Sequence, residues 1–270
     1  MSLSVCYALF TAMANRIRST GTRAVILRRR DYGDADRIVT AYTPSLGKQE
    51  FIAKGIRKTS SRKAGHLELF THSALQVADA RTWPIITEAT TIESFRTLRT
   101  NLATIGAANY IAELIDRFTE ADDENQPLWE LLLLALRELD QAADDDAAPR
   151  RALLLRWFEL HLLGLTGFQP QLFHCLSCGE ALEPVQNFLS LSDGGLYCPA
   201  CATGNRDLEA LDPDVLKVLR YLQREPWPAV YQLSVRPAIM LRMENLLHRY
   251  LLTILEYRLR STDFLHHVQG

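Results

Sequence analysis

Two cysteine pairs constrain this chain more than any other feature. Cys175-Leu176-Ser177-Cys178 and Cys198-Pro199-Ala200-Cys201 hold four of its five cysteines. Two Cys-x-x-Cys turns at this separation read as a zinc site, each turn supplying two thiolates to one tetrahedral ion. Gly179 follows the first pair and Gly194-Gly195 precedes the second, so the backbone can turn tightly beneath a metal. Two disulfides would require an oxidising compartment. A redox Cys-x-x-Cys would call for one active pair beside a strand-helix unit rather than two matched pairs. Four thiolates leave no open position for water or substrate, which makes such a zinc structural. His174 adjoins the first cysteine but is not needed as a ligand.

The charge of this 270-residue chain is unevenly placed. Residues 1–80 carry 13 Lys and Arg against 6 Asp and Glu, and residues 81–150 carry 6 against 14. A basic head on an acidic body points to a face for a polyanion. No apolar run approaches the roughly 18 residues of a membrane span.

Residues 1–14 (MSLSVCYALFTAMA) are apolar. Ala12-Met13-Ala14 resembles a leader-peptide cleavage triplet, but no basic residue precedes it. We read the stretch as an extension with an alternative start at Met13, and give Cys6 no role.

From residue 20 the pattern becomes β. Strands are expected over Arg23–Arg30, Arg37–Thr43 and Lys48–Gly55, and near Ser73–Asp79 and Ile85–Glu93. Five short strands without an intervening long helix fit an OB-fold barrel over 20–95, in an α+β multidomain chain. Basic residues crowd this barrel: Arg28, Arg30, Arg37, Lys48, Lys54, Arg57, Lys58, Arg62 and Lys63 are candidate phosphate contacts. The last four lie in the arm Gly55–Gly65, read either as a solvated mobile loop or as a phosphate-binding loop. Six phosphate contacts on a single strand would give a slope of log K against log salt of about −4. Tyr32, in a charged turn, is the candidate for stacking on bases, whereas Tyr42 and Phe51 are expected in the barrel core.

Helical periodicity follows. Leu102, Ile105, Asn109, Ala112, Ile115 and Phe118 form one stripe, Leu128–Leu139 a second helix and Ala152–Leu165 a third. Ala142–Pro149 reads as a solvated connection. A helix capped by Asp212-Pro213 runs through Leu222, and a last one runs from Pro237 to about Leu259. The expected division is 1–19 extension, 20–95 barrel, 96–167 helical, 168–206 metal module and 207–270 helical. Asp144-Asp145-Asp146 reads as a charged linker, and His266-His267 as surface tail. Phosphate-loop, dinucleotide, zincin and nucleophile-elbow motifs are missing.

The run Val25-Ile26-Leu27-Arg28…Asp31-Tyr32-Gly33-Asp34-Ala35-Asp36-Arg37-Ile38-Val39-Thr40 resembles the opening of the RecO family of bacterial recombination mediators. So do Gly47-Lys48, Ala53-Lys54-Gly55-Ile56-Arg57-Lys58 and Ser61-Arg62. Gly164-Leu165-Thr166-Gly167-Phe168-Gln169-Pro170, Cys175-Leu176-Ser177-Cys178-Gly179 and Gly194-Gly195-Leu196-Tyr197-Cys198 are similar to the family's zinc region. The resemblance implies an OB-fold, a helical domain and a zinc finger. It also implies binding of single- and double-stranded DNA and annealing of complementary strands, without catalysis. Its implied partners are RecR, the acidic tail of single-stranded-DNA-binding protein and, indirectly, RecA, in the bacterial cytoplasm on the nucleoid. From the residues alone, a zinc-ribbon RNA- or ribosome-associated binding factor is the alternative. A metal-dependent hydrolase is a further rival, for which the sequence offers no open-coordination site.

Overall fold

The computed structural model describes residues 19–204 and 207–255. The readings made for residues 1–14, for His266-His267 and for the end of the last helix lie outside them. The chain forms two compact units. The first comprises residues 19–43 and 49–93; the second, residues 44–48 and 94–255.

The first unit is a closed barrel of β1 (Ser19–Tyr32), β2 (Asp36–Thr43), β3 (Gly47–Ala53), β4 (His72–Ala78) and β5 (Ile85–Glu93), in the order β1-β2-β3-β5-β4. β1 is long because it serves two partners. Its first half pairs with β4, from Ser19↔Ala78 to Val25↔His72. Its second half pairs with β2, from Val25↔Tyr42 to Tyr32↔Asp36. A register shift between Ile26 and Arg28 marks the bend between the halves, as bulges do where a sheet curls. A parallel pairing, Ile52↔Ile85, closes the ring.

Alternation puts Ala24, Ile26, Val39, Ala41, Phe51, Ala53, Leu75, Val77 and Ile86 in one buried cluster. Phe51 belongs to it as expected. Tyr42 is fully buried but follows Ala41 in an extended strand, so it lies on the other face of β2, which is also covered.

The second unit is built on helices whose starts follow capping chemistry. α1 (Leu102–Phe118) is capped by Asn101, which accepts from the amides of Ala103 and Thr104. α2 (Gln126–Gln141) is capped by Asn125, and α4 (Pro213–Arg224) by Asp212. Each of α2, α3 (Ala148–Leu165) and α4 has a proline in its first turn, where the missing amide costs nothing. For α3 this moves the start to Ala148, four residues before the expected one, and shortens the connection read over 142–149.

α3 is the central helix. Residues 153–160 are all buried, and it packs against α1, α2, α4, the short α5 (Trp227–Val230) and α6 (Pro237–Leu255). α1 departs from its expected stripe. Ala112 and Ile115 of that stripe are buried, but Leu102 is exposed, and the rest of the buried face carries Thr104, Ala107, Ala108, Ile111 and Leu114. Small residues there let neighbouring helices approach closely, so bulk alone misplaced the face. On α6, Ile239, Met243, Leu246, Leu247 and Tyr250 are buried as expected, whereas Ile254 is half-buried. The metal module contains a sheet, β7-β6-β8, of β6 (Asn187–Ser190), β7 (Gly195–Tyr197) and β8 (Glu209–Leu211). β8 carries this sheet beyond the expected module boundary at 206. No helix among the described residues is long and apolar enough to cross a membrane.

Candidate nucleic-acid interface and metal centre

The sulfurs of Cys175, Cys178, Cys198 and Cys201 all lie within 4.8 Å of one another. A tetrahedral ion with bonds of about 2.3 Å separates its sulfur ligands by roughly 3.8 Å, so the four thiols fit one metal ion. Each pair is a closed turn: the Gly179 amide donates to the Cys175 carbonyl at 2.9 Å, and the Cys201 amide to the Cys198 carbonyl at 3.1 Å. Gly179 has φ +76°, a left-handed conformation that glycine adopts freely. The cluster is polarised. Burial works against the Cys175 thiolate, but amides of Cys178, Cys198 and Ser177 outweigh it and bring this thiol down to about 6. At Cys201 a bond to Ser177 favours the thiolate, yet the neighbouring Cys198 and Cys178 thiols prevail and push it up to about 11. Four crowded sulfurs do not ionise together without a cation between them. His174 is exposed and outside this ligand group.

The cationic candidates fall into distinct groups. Arg28 and Arg30, two residues apart on β1, converge on Glu50 of β3 at 3.9 and 3.4 Å. Arg37 and Arg57 share Asp31 at the β1–β2 turn, at 2.9 and 3.5 Å. The bond from Arg37, assisted by the charge of Arg57, holds the Asp31 carboxyl below its usual range. Lys48 faces Asp116 at 3.3 Å within the second unit. Lys54, Lys58 and Arg62 are exposed and have no ion pair among the described residues.

The arm Gly55–Gly65 is tied to the barrel rather than loose. The Arg57 amide donates to the Ala35 carbonyl at 3.0 Å, the Gly55 amide donates to Asp36 Oδ1 at 2.7 Å, and Ile56 is buried. Lys63 turns inward and donates to the Ile86 carbonyl at 2.8 Å, with burial lowering its pKa against the pull of Asp36. An apolar residue and an aliphatic stem drawn onto the barrel explain why a polar, glycine-flanked run is nevertheless ordered.

Tyr32 is exposed, and its ring meets that of Trp83 edge to face at 5.3 Å. Trp83 also lies 5.5 Å from the Arg30 guanidinium, and its Nε1 donates to Glu50 Oε2 at 3.1 Å. Neither Trp83 nor Glu50 stands out in the sequence reading. The available signal was a tryptophan in the polar turn Asp79–Pro84, where no strand alternation directs it inward.

Two family models match: "Recombination protein O N terminal" over residues 17–95 and "Recombination protein O C terminal" over residues 99–263. A DNA repair protein RecO from Roseiflexus sp. (strain RS-1) is 44% identical over 254 residues, covering 94% of this chain and 87% of the relative. A protein of the same name from Dehalococcoides mccartyi (strain ATCC BAA-2266 / KCTC 15142 / 195) is 34% identical over 235 residues, covering 87% of this chain and 90% of the relative. One from Desulforamulus reducens is 33% identical over 242 residues, with 90% and 92% covered. With both halves matched in order and relatives aligned along most of its length, this chain belongs to the RecO family of DNA repair and recombination proteins.

Proposed function

We propose that this chain binds single- and double-stranded DNA, anneals complementary strands, and helps load RecA on DNA covered by single-stranded-DNA-binding protein. RecR and the acidic tail of the single-strand binder are its partners, and its setting is the bacterial cytoplasm on the nucleoid. It acts as a binding protein rather than as an enzyme. One zinc ion is the metal of the four-cysteine centre, where it would crosslink the two turns; a structural zinc of this kind contributes about 10–16 kcal/mol to folding.

The observation that carries the reading is the barrel's cationic and aromatic surface in a chain of this family. Arg28, Arg30, Arg37, Lys54, Arg57, Lys58, Arg62 and Tyr32 contribute to it, Lys63 is held by the Ile86 carbonyl of β5, and Lys48 lies in the second unit. Cations neutralise phosphates and release condensed counterions. Two strands whose phosphates are both neutralised on one protein repel each other less, which favours pairing of their bases.

The test is annealing of complementary strands precoated with single-stranded-DNA-binding protein. Acceleration by this protein is expected, and no acceleration over the precoated control overturns the reading. Salt dependence refines it. Lys54, Lys58 and Arg62 can engage phosphates without releasing an internal acid. These three alone give a slope of about −2 on a single strand, and the slope approaches −4 only as paired arginines join. Charge reversal of the three should flatten the slope and weaken binding in low salt. Unchanged affinity removes them from the mechanism.

A further inference from the structure

Four tryptophans occur in the chain. Trp129, Trp157 and Trp227 are 1%, 4% and 3% exposed, within the helical unit. Trp83 is different: it is half-buried on the outside of the barrel, in the turn between β4 and β5. Its Nε1 edge is pinned by Glu50, the Arg30 guanidinium lies near its ring, and Tyr32 abuts it. A ring fixed in this way loses little freedom when something stacks on it.

Glu50 is the second part of the arrangement. Its carboxylate accepts from Trp83 Nε1 at 3.1 Å, Arg30 Nη2 at 3.4 Å and Thr40 Oγ1 at 3.5 Å, with Arg28 Nη2 at 3.9 Å. An anionic group collecting two guanidiniums and an N–H has the acceptor chemistry of a phosphate. These contacts bring β1, β2, β3 and the β4–β5 turn to one point on the barrel surface.

We propose that Trp83 is a stacking platform for an unpaired base, that Arg28 and Arg30 receive the flanking phosphate, and that Glu50 holds this phosphate seat in the free protein. The proposal rests on the DNA-binding reading above and deepens it, because it names the ligand class: single-stranded nucleic acid with bases free to stack. A duplex offers the same phosphates but keeps its bases within its own stack. Trp83 therefore discriminates by strandedness, while the lysines and arginines bind both forms. Glu50 limits affinity for both, since an incoming phosphate must displace its charge from Arg28 and Arg30.

The experiment is titration of the full chain with a short oligothymidylate and, separately, with a blunt duplex, following intrinsic fluorescence and anisotropy of labelled DNA. Oligothymidylate should quench wild-type tryptophan emission. Trp83→Phe keeps an aromatic face, so it should bind within a few-fold of wild type but lose the quenching. Trp83→Ala should weaken oligothymidylate binding about 5- to 150-fold, the range for loss of one base stack, and leave duplex affinity unchanged. Glu50→Gln keeps an acceptor for the indole and removes the competing charge. It should tighten binding to both forms and steepen the single-strand salt slope by about 0.7 for each phosphate newly engaged. Quenching that persists in Trp83→Phe, equal effects of Trp83→Ala on both DNA forms, or weaker binding by Glu50→Gln overturns the proposal. A wild-type protein that binds neither form overturns the DNA-binding reading itself, which keeps the two failures apart.

Discussion

Arg156 and Glu159 sit one turn apart on α3, 5% and 0% exposed, at the centre of the helical unit. Arg156 Nη2 meets Glu159 Oε1 at 2.6 Å, and Nη1 lies 3.6 Å from Glu244 of α6. Tyr110 of α1 donates its hydroxyl to the same Glu159 oxygen at 2.6 Å. Burial pushes the Glu159 carboxyl above its usual value, and the Arg156 charge and the Tyr110 bond reverse only part of that rise. Burial also opposes charge on Arg156, but Glu159, Tyr110 and Glu244 outweigh it and keep the guanidinium charged. Replacing Arg156 by methionine keeps much of the stem and removes the cation. Breaking a buried pair from one side costs about 3–5 kcal/mol, because the remaining charge has lost its compensation.

The remaining carboxyl has one escape, which is to take up a proton. Its folded pKa lies above the unfolded value of 4.5, so its contribution to stability is full below 4.5 and is lost as pH rises through the folded value. Without Arg156 to pull it down, that folded value rises and the window widens upward. Each pH unit inside the window is worth about 1.4 kcal/mol. The deficit of Arg156→Met should therefore be largest at neutral pH and shrink on acidification toward 4.5. Urea unfolding followed by the emission of Trp129, Trp157 and Trp227 reports on this unit, since all three are buried there. Arg156→Met/Glu159→Leu removes both charges but leaves the buried Tyr110 hydroxyl without its acceptor, so it should regain part of the loss. A single-variant deficit under about 1 kcal/mol, one that grows on acidification, or a double variant no better than the single one refutes the reasoning.

Two further outcomes are expected of the metal centre and of the start of β3. Cys198→Ser, or extraction with a strong chelator, should remove one equivalent of bound metal and abolish hydrogen-exchange protection in β6 and β7 while barrel amides stay protected. Retained metal content, or β6 and β7 still protected without metal, refutes the crosslink. Gly47→Ala should destabilise by at least about 1–2 kcal/mol from backbone strain alone, because φ is +58°. Its Cβ would also fall 2.2 Å from the Asp123 carbonyl oxygen. An unchanged melting temperature contradicts this.

The barrel and the cysteine centre were legible because each repeats a short rule. Period-two alternation marked β2 and β3, and two Cys-x-x-Cys turns marked the four cysteines whose sulfurs the fold brings together. The stripe on α1 was legible only at Ala112 and Ile115, since Ala107 and Ala108 carry burial without the bulk that periodicity weighs. β6, β7 and β8 span only three or four residues each, too short to display a period. Nor could a linear reading find the pairing of cations. Arg28 and Arg30 reach Glu50 across strands some twenty residues apart, and Trp83 joins them from thirty-three residues beyond Glu50. Such contacts are set by barrel closure, not by local sequence.

That pairing changes what a basic barrel means. Of the nine cations named from the sequence, Arg28, Arg30, Arg37, Lys48 and Arg57 already face a carboxylate. Lys63 is spent on a backbone carbonyl. A polyanion therefore meets four arginines that share two carboxylates, Glu50 and Asp31, so about half of their formal charge is offset from within, and the gain on binding at these arginines is the difference between a phosphate and the carboxylate it replaces. Exposed pairs of this kind are weak in water, so the exchange is nearly even and readily reversed. On the proposed reading, that near-balance suits a protein that must hold two strands long enough to pair and then release the product. On the same reading, Lys54, Lys58 and Arg62 supply the attraction, and the paired arginines exchange one anion for another, releasing Glu50 or Asp31 to water.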